Sequence, residues 1–196
     1  MSKACQYAVS QSDSYVNICC LTQAFGHEQA SVLDGGLPRW EDEGFEIESR
    51  DPQPVEKTSC SLSTLGSNWV CEYYQIVFSS LTDPTSSELV LDVCSKGQLA
   101  SADPEPRTSF LRPHPQPTFN ALLATNISKK TSAPYITLLP CEELHKAFDV
   151  AGGDSTHNIA NSCGSGITAG VLWLALQRLG VFSAISNKSW VGIRKL

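Results

Sequence analysis

One stretch of this chain combines a cysteine, a glycine-rich turn and the start of a helix: Ser162-Cys163-Gly164-Ser165-Gly166-Ile167-Thr168-Ala169-Gly170. Glycine permits a tight turn whose backbone N–H groups point inward, because it has no Cβ to restrict φ. Such a turn at a helix N-terminus binds anions, and the helix dipole reinforces the effect. A cysteine at its rim is thereby stabilised as the thiolate. The stretch indicates a nucleophile loop, and a small buried cysteine in a structural turn is the alternative interpretation.

The segments around this loop alternate between strand-like and helix-like patterns. The apolar run at 88–93 is typical of a buried parallel strand, and residues 159–162 are predicted to form the strand that leads into the loop. Leucines spaced along 167–179 mark one face of a helix, and a further helix follows Pro140 and ends at Gly152-Gly153. This alternation predicts an α/β fold with a parallel sheet and flanking helices. The loop is then expected at the carboxyl end of a strand, where such sheets place their sites.

The N-terminal segment carries a smaller set of elements. We expect a helix at 15–25 that ends at Gly26, a short strand at 30–33, a turn at Asp34-Gly35-Gly36 and a short helix from Pro38 to Gly44. This fragment is too small to enclose a core alone, so it either docks on the remainder or stays partly loose. Weaker patterns predict helices at 68–80 and 121–130 and a last strand at 181–185.

Composition excludes several classes of function. The net charge of −6 lacks the basic stripe of a nucleic-acid-binding protein, and no apolar run approaches the roughly 20 residues of a membrane span. The first residues resemble neither a signal peptide nor a transit peptide, so a cytoplasmic protein is the expectation. Eight cysteines contain no C-x-x-C pair and no Cys/His cluster, which argues against a metal site and for reduced thiols. We therefore expect no metal, no cofactor, no nucleic acid and no membrane partner.

Two chemistries suit a cysteine followed by such a turn. A phosphatase of the tyrosine-phosphatase type needs an arginine six positions after the cysteine to clamp the phosphate. That position is Ala169 here, which argues strongly against phosphatase chemistry. Sulfur transfer needs only a thiolate, N–H donors for the persulfide and cations that orient an anionic donor.

Separated motifs then resemble one family, the two-domain rhodaneses that include the thiosulfate and 3-mercaptopyruvate sulfurtransferases. Leu33-Asp34-Gly35-Gly36-Leu37-Pro38-Arg39-Trp40, with Glu43-Gly44 behind it, is similar to the end of their first domain. The following segments resemble their second domain in the same order: Asp103-Pro104-Glu105-Pro106-Arg107, Leu138-Leu139-Pro140 with Glu142-Glu143-Leu144, and Cys163-Gly164-Ser165-Gly166-Ile167-Thr168. The resemblance implies a rhodanese-like fold with one near-complete domain and a truncated first domain. We expect a remnant at 1–50, a linker at 51–66 and the C-terminal rhodanese domain at 67–196.

The resemblance also implies an activity and its residues. Cys163 would accept a sulfane sulfur from thiosulfate or 3-mercaptopyruvate as a persulfide, which Gly164, Ser165, Gly166, Ile167 and Thr168 would hold. Arg107 would bind the carboxylate of the donor. The acceptor would be cyanide or a thiol, such as that of thioredoxin, and the family leaves a mitochondrial location open beside the cytoplasmic one.

Several positions depart from the family pattern. Gln98 and Cys94 stand where arginines are expected, and Asn187-Lys188 replaces an aspartate–glycine pair. These departures, with the missing first domain, leave two alternatives to a sulfurtransferase of altered donor choice. One is a catalytically impaired rhodanese module that binds or regulates a partner. The other is a thiol redox sensor in which Cys94 or Cys141 resolves an oxidised Cys163.

Overall fold

A computed structural model describes residues 6–8, 14–26, 30–49, 66, 68–71, 88–93, 119–121, 128–130, 132, 135–152, 158–163 and 167–186. The helices are α1 (Ser14–Ala24), α2 (Gly36–Asp42), α3 (Cys141–Val150) and α4 (Ala169–Arg178). The strands are β1 (Gln6–Ala8), β2 (Ser31–Leu33), β3 (Val70–Cys71), β4 (Glu88–Asp92), β5 (Phe119–Ala121), β6 (Ser128–Lys130), β7 (Ile136–Leu138), β8 (Asn158–Ser162) and β9 (Ser183–Ser186).

The main sheet has five parallel strands in the order β3-β9-β8-β4-β5. β8 lies at its centre, in register with β4 from Glu88–Asn158 to Asp92–Ser162 and with β9 from Ile159–Ser183 to Asn161–Ile185. β4 is the apolar run of the sequence, and its Val90 and Leu91 are fully buried, as a strand covered on both faces requires. The predicted α/β fold with a parallel sheet and flanking helices is confirmed.

A first apolar cluster joins α3 and α4 to the sheet. It contains Leu91, Leu144, Phe148, Ala151, Ile159, Leu172, Ala175 and Leu176. The buried positions of α3 and α4 recur at the helical spacing of three or four residues, which is why these two sequences form amphipathic helices against a sheet. Each fully buried leucine or phenylalanine contributes about 1.5–3 kcal/mol to folding. Both helices end near glycines of positive φ, Gly152 at 75° and Gly180 at 73°, as the sequence predicts.

A second cluster attaches the N-terminal segment to the main sheet. It contains Val16, Cys19, Cys20, Ala30, Cys163, Ala169, Trp173 and Ile185. The inner side of α1 therefore packs against α4 and β9. At the end of this helix, the carbonyl of its last residue, Ala24, accepts the N–H of Gly66 at 2.9 Å. The described N-terminal elements are docked on the remainder rather than loose.

The carboxylate of Asp34 adds polar contacts to this docking. Its Oδ1 accepts the backbone N–H of Leu138 at 2.9 Å, and its Oδ2 pairs with Arg178 Nη1 at 3.3 Å. The adjacent Gly35 has a φ of 88° and the Arg39 side chain lies over it, so that a Cβ there would stand 2.7 Å from Arg39 Cδ. Arg39 Nη1 in turn donates to the Asp34 carbonyl at 3.2 Å. The turn at 34–35 is thus shaped to present Asp34 to β7 and α4.

Two predicted helices are wrong where the structure describes them. Residues 70–71, within the expected helix at 68–80, form β3, because Val70 pairs in parallel with Ile185. In the expected helix at 121–130, Ala121 ends β5 and residues 128–130 form β6, which pairs antiparallel with β7. Pairing with a distant strand overrides a weak helical pattern in both places. Residues 51–65 lie outside the described ranges, so the division into a remnant, a linker and a domain stays a prediction.

We expect Asp34→Ala to lower the free energy of unfolding by about 1–3 kcal/mol, because it leaves the partly buried N–H of Leu138 without its acceptor. Arg178→Ala removes only a half-exposed ion pair and should change stability by about 0–1 kcal/mol. Urea unfolding of both variants measures the difference. Equal losses of stability in the two variants would contradict the view that the hydrogen bond to Leu138, and not the ion pair with Arg178, is the stabilising contact of Asp34.

Candidate active site

Cys163 directly follows β8, the central strand of the parallel sheet. The carbonyl of Ser162 accepts the N–H of Val93 at 3.0 Å, so pairing with the β4 side continues to the residue before the cysteine. Cys163 therefore emerges at the carboxyl edge of the sheet, between the strands that flank β8. In open α/β sheets, ligands bind at this edge.

Buried polar side chains gather at the same edge. Asp92 ends β4, Asn161 and Ser162 end β8, and Ser186 ends β9; all are buried. Burying polar groups is unfavourable unless they are hydrogen-bonded, and apolar residues would fill a purely structural sheet interior. Their position beside Cys163 marks this edge as the part of the described fold with the chemistry of a site.

The first turn of α4 begins six residues after Cys163. The N–H of Gly170 donates to the Ile167 carbonyl at 3.2 Å and that of Val171 to the Thr168 carbonyl at 3.1 Å, so the helix opens with a tight turn. Thr168 provides no side-chain cap. Ala169 is fully buried and shares the second cluster with Cys163, which brings the helix start and the cysteine into one layer. The N-terminal dipole of α4 therefore acts on the loop between them.

Only part of the predicted site falls within the described residues. Cys163 is 4% exposed, Ile167 is 43% exposed and Thr168 is half-buried at the start of α4. Gly164, Ser165, Gly166 and Arg107 lie outside the described ranges, as do Cys94 and Gln98. The structure places Cys163 and Ala169, the first residue of α4, in one cluster, and the site residues stay predictions.

The structure adds neighbours of Cys163 that sequence reasoning missed. Cys19 and Cys20 of α1 and Trp173 of α4 share its buried cluster. Burial raises the pKa of the Cys19 thiol. Burial, with Cys19 adding to the effect, raises the pKa of Cys20 to about 12. Vicinal cysteines in an apolar helix were the only sequence feature that pointed to a buried pair, and nothing in the sequence linked them to Cys163.

Asn161 was also missed. Its side-chain amide Nδ2 donates to Ser183 Oγ at 2.8 Å and to the Ala184 carbonyl at 3.1 Å. The poor strand propensity of asparagine at this position was the one available indication that the residue has a role other than packing.

No three His, Cys, Asp or Glu side chains within the described ranges are arranged to hold a metal ion. Among these same residues, no helix combines the length and apolarity needed to cross a membrane. The five described cysteines, Cys19, Cys20, Cys71, Cys141 and Cys163, are not joined in disulfides.

Comparison with known proteins agrees with the fold. No protein-family model matches the chain. The chain is 30% identical over 196 residues to thiosulfate/3-mercaptopyruvate sulfurtransferase 1, mitochondrial, of Arabidopsis thaliana, covering 90% of this chain and 50% of the relative. Tum1 from Saccharomyces cerevisiae has a TM-score of 0.73 at 19% identity, covering 94% of this chain and 64% of that one. SseA from Escherichia coli, a 3-mercaptopyruvate sulfotransferase with the rhodanese fold, has a TM-score of 0.69 at 22% identity, covering 92% and 64%.

The resemblance drawn from the motifs is thereby confirmed. The chain is a homologue of the thiosulfate/3-mercaptopyruvate sulfurtransferases and has the rhodanese fold. It spans about half the length of the curated relatives that it matches, between 50% and 57% for the first three.

The buried cysteine pair predicts a pattern of alkylation. With a pKa near 12 instead of the usual 9.0, Cys20 has about a thousandfold less thiolate than an ordinary thiol at neutral pH. Because the shift is upward, its thiolate stays a minor species until the pH approaches 12. We expect iodoacetamide at pH 8 to label the exposed Cys141 in the native protein and to leave Cys20 unlabelled, as read by peptide mass spectrometry. Denatured protein should label at both, and equal native rates would contradict the assignment.

Proposed function

We propose that the chain is a sulfurtransferase of the rhodanese type that acts through a persulfide on Cys163. One observation carries the proposal: Cys163 lies between the carboxyl end of the central strand β8 and the start of α4 in a rhodanese fold. The proposal is supported by relatives that are thiosulfate/3-mercaptopyruvate sulfurtransferases. It extends their activity to a chain that aligns with about half of their length.

The first half-reaction moves one sulfur to the enzyme. The Cys163 thiolate attacks the outer sulfur of thiosulfate, an S–S bond forms, and the S–S bond of the donor breaks with its electron pair leaving on sulfite. With 3-mercaptopyruvate, the C–S bond breaks instead, and the pyruvate enolate that leaves takes up a proton. Either donor yields the same persulfide, so the enzyme needs no redox cofactor.

The second half-reaction regenerates the free Cys163 thiolate. An acceptor nucleophile, such as cyanide or a thiol, attacks the terminal sulfur of the persulfide, and Cys163 leaves as the thiolate. In the resting intermediate the negative charge lies on the terminal sulfur. Backbone N–H groups of residues 164–168 and the N-terminal dipole of α4 would stabilise that charge.

The apolar cluster around Cys163 has a role in this scheme. Ala169, Trp173 and Ile185 cover one side of the cysteine, which is only 4% exposed. Excluding water from that side strengthens the interaction between the persulfide charge and the N–H dipoles.

Donor choice would depend on Arg107. Its planar guanidinium is suited to a bidentate contact with a carboxylate. With Gln98 in place of the second arginine of the family pattern, Arg107 would be the main cation for the carboxylate of 3-mercaptopyruvate. The resulting enzyme would favour thiosulfate, which depends more on the loop N–H groups.

The first experiment is the intact mass of the protein after incubation with thiosulfate. We expect wild type to gain one sulfur, about 32 Da, and Cys163→Ser to gain none, because the proposal makes the Cys163 thiolate the attacking nucleophile. Cys141→Ser serves as the matched control and should gain the sulfur as wild type does. A folded wild-type protein that gains no sulfur from thiosulfate or 3-mercaptopyruvate would refute the sulfurtransferase and favour the partner-binding module.

A second experiment compares donors. Arg107→Gln should lower kcat/KM for 3-mercaptopyruvate about 10- to 100-fold, from the loss of a charged hydrogen bond of about 1–3 kcal/mol, and should affect thiosulfate less. Arg112→Gln, in the same segment but outside the matched motif, is the control and should keep wild-type kinetics. A uniform loss for both donors in Arg107→Gln would argue against a carboxylate contact.

A further inference from the structure

An amide side chain lies inside the parallel sheet two residues before Cys163. Asn161 is fully buried, and its register partners on the two sides are Leu91 of β4 and Ile185 of β9. Side chains alternate between faces along a strand, so Asn161 shares the face of Ile159, which α4 covers. This is a layer in which packing alone would favour an apolar residue.

The amide nitrogen of Asn161 is committed to β9. Nδ2 donates to the buried Ser183 Oγ at 2.8 Å and to the Ala184 carbonyl at 3.1 Å. Both bonds reach the neighbouring strand, so they add a side-chain clamp to the backbone ladder between β8 and β9. A planar amide with both N–H groups engaged has a fixed orientation, and its Oδ1 is directed away from β9.

The strand that receives the clamp is itself anchored. Ile185 donates its N–H to the Trp69 carbonyl at 3.0 Å, and β9 pairs on that side with β3. Ile185 also packs in the cluster that contains Cys163 and Trp173. The Asn161 clamp therefore joins the end of β8 to a supported part of the sheet.

We infer that Asn161, held by Ser183, is a positioning residue for Cys163. The inference rests on the proposed function, in which Cys163 is the nucleophile. A strand rises about 3.3 Å per residue, so the clamp acts within about 7 Å of the cysteine backbone. Fixing the end of β8 against β9 fixes where Cys163 stands relative to the first turn of α4. A displacement of about 1 Å at a reacting atom is enough to slow a reaction severely.

The test uses two variants that remove the clamp in different ways. Asn161→Leu has the same branched shape without donors, and Ser183→Ala removes one acceptor and leaves the bond to Ala184. Ile159→Val is the matched control, because Ile159 lies on the same strand and face as Asn161. It is two residues before Asn161, whereas Cys163 is two residues after it. Thermal unfolding of each variant records any loss of stability.

Two readouts separate positioning from stability. The first is the iodoacetamide rate at Cys163 relative to the exposed Cys141 in the same molecule, which needs no sulfurtransferase activity. The second is the single-turnover rate of persulfide formation across thiosulfate concentrations. We expect Asn161→Leu to lower both about tenfold, with half-saturation by thiosulfate changed less than twofold, and Ser183→Ala to lower them about threefold. Ile159→Val should keep wild-type values.

The outcomes are distinct. Wild-type rates in folded Asn161→Leu and Ser183→Ala would overturn the positioning role, as would an equal loss in Ile159→Val at equal stability. If Asn161→Leu fails to fold, Ser183→Ala decides alone. A wild-type protein that is alkylated at Cys163 but forms no persulfide would refute the proposed function, and the alkylation ratios would still decide whether Asn161 positions the cysteine.

Discussion

The pairing of β8 on both of its edges is the constraint on which the rest of the structure depends. β8 contains Asn158 and Asn161, which are poor strand formers, and it stays extended because β4 and β9 satisfy its backbone on either side. The same pairing buries Ile159 and Ala160 and delivers Cys163 to the carboxyl edge. A strand held by its neighbours in this way tolerates polar side chains, and those side chains lie next to the cysteine.

α4 connects this strand to everything else that surrounds the cysteine. Leu172 and Leu176 join the cluster with α3, while Ala169 and Trp173 join the cluster with α1 and Cys163. One helix thus belongs to both cores, and its first residue, Ala169, lies in the cluster that contains Cys163. The N-terminal segment, with α1 packed on α4 and Asp34 bound to β7 and α4, is therefore part of the wall of the candidate site. Its contacts support the placement of Cys163, although the segment lies far from the cysteine motif in the sequence.

Sequence patterns predicted most of the longer described elements, and failed at several short strands. α1, α3 and α4 have apolar positions at the helical period, β4 is a continuous apolar run, and all four were found with small shifts of their ends. β3 and β6 are short, and only their pairing with β9 and β7 makes them strands. The cysteine loop was recognised from local chemistry. Its neighbours Cys19, Cys20 and Trp173 were not recognised, because local sequence does not determine which helix faces pack together.

The cysteines that share one cluster show why the backbone beside a thiol decides its chemistry. Cys19 and Cys20 lie within α1, where the backbone N–H groups are bonded to carbonyls of the preceding turn. Gln23 Nε2 donates to Cys19 Sγ at 3.9 Å, but both thiols lie among apolar neighbours, and burial raises their pKa. Cys163 is similarly buried, but it stands between the end of a strand and the start of a helix, and N–H groups that precede the first helical bonds, here those donated by residues 170–171, have no intrahelical acceptor. In the proposed function, such donors would be available to the anionic sulfur of the persulfide. Burial thus disfavours charge on the two α1 cysteines, whereas in the proposed function a persulfide on Cys163 would lie near backbone donors at the start of a helix.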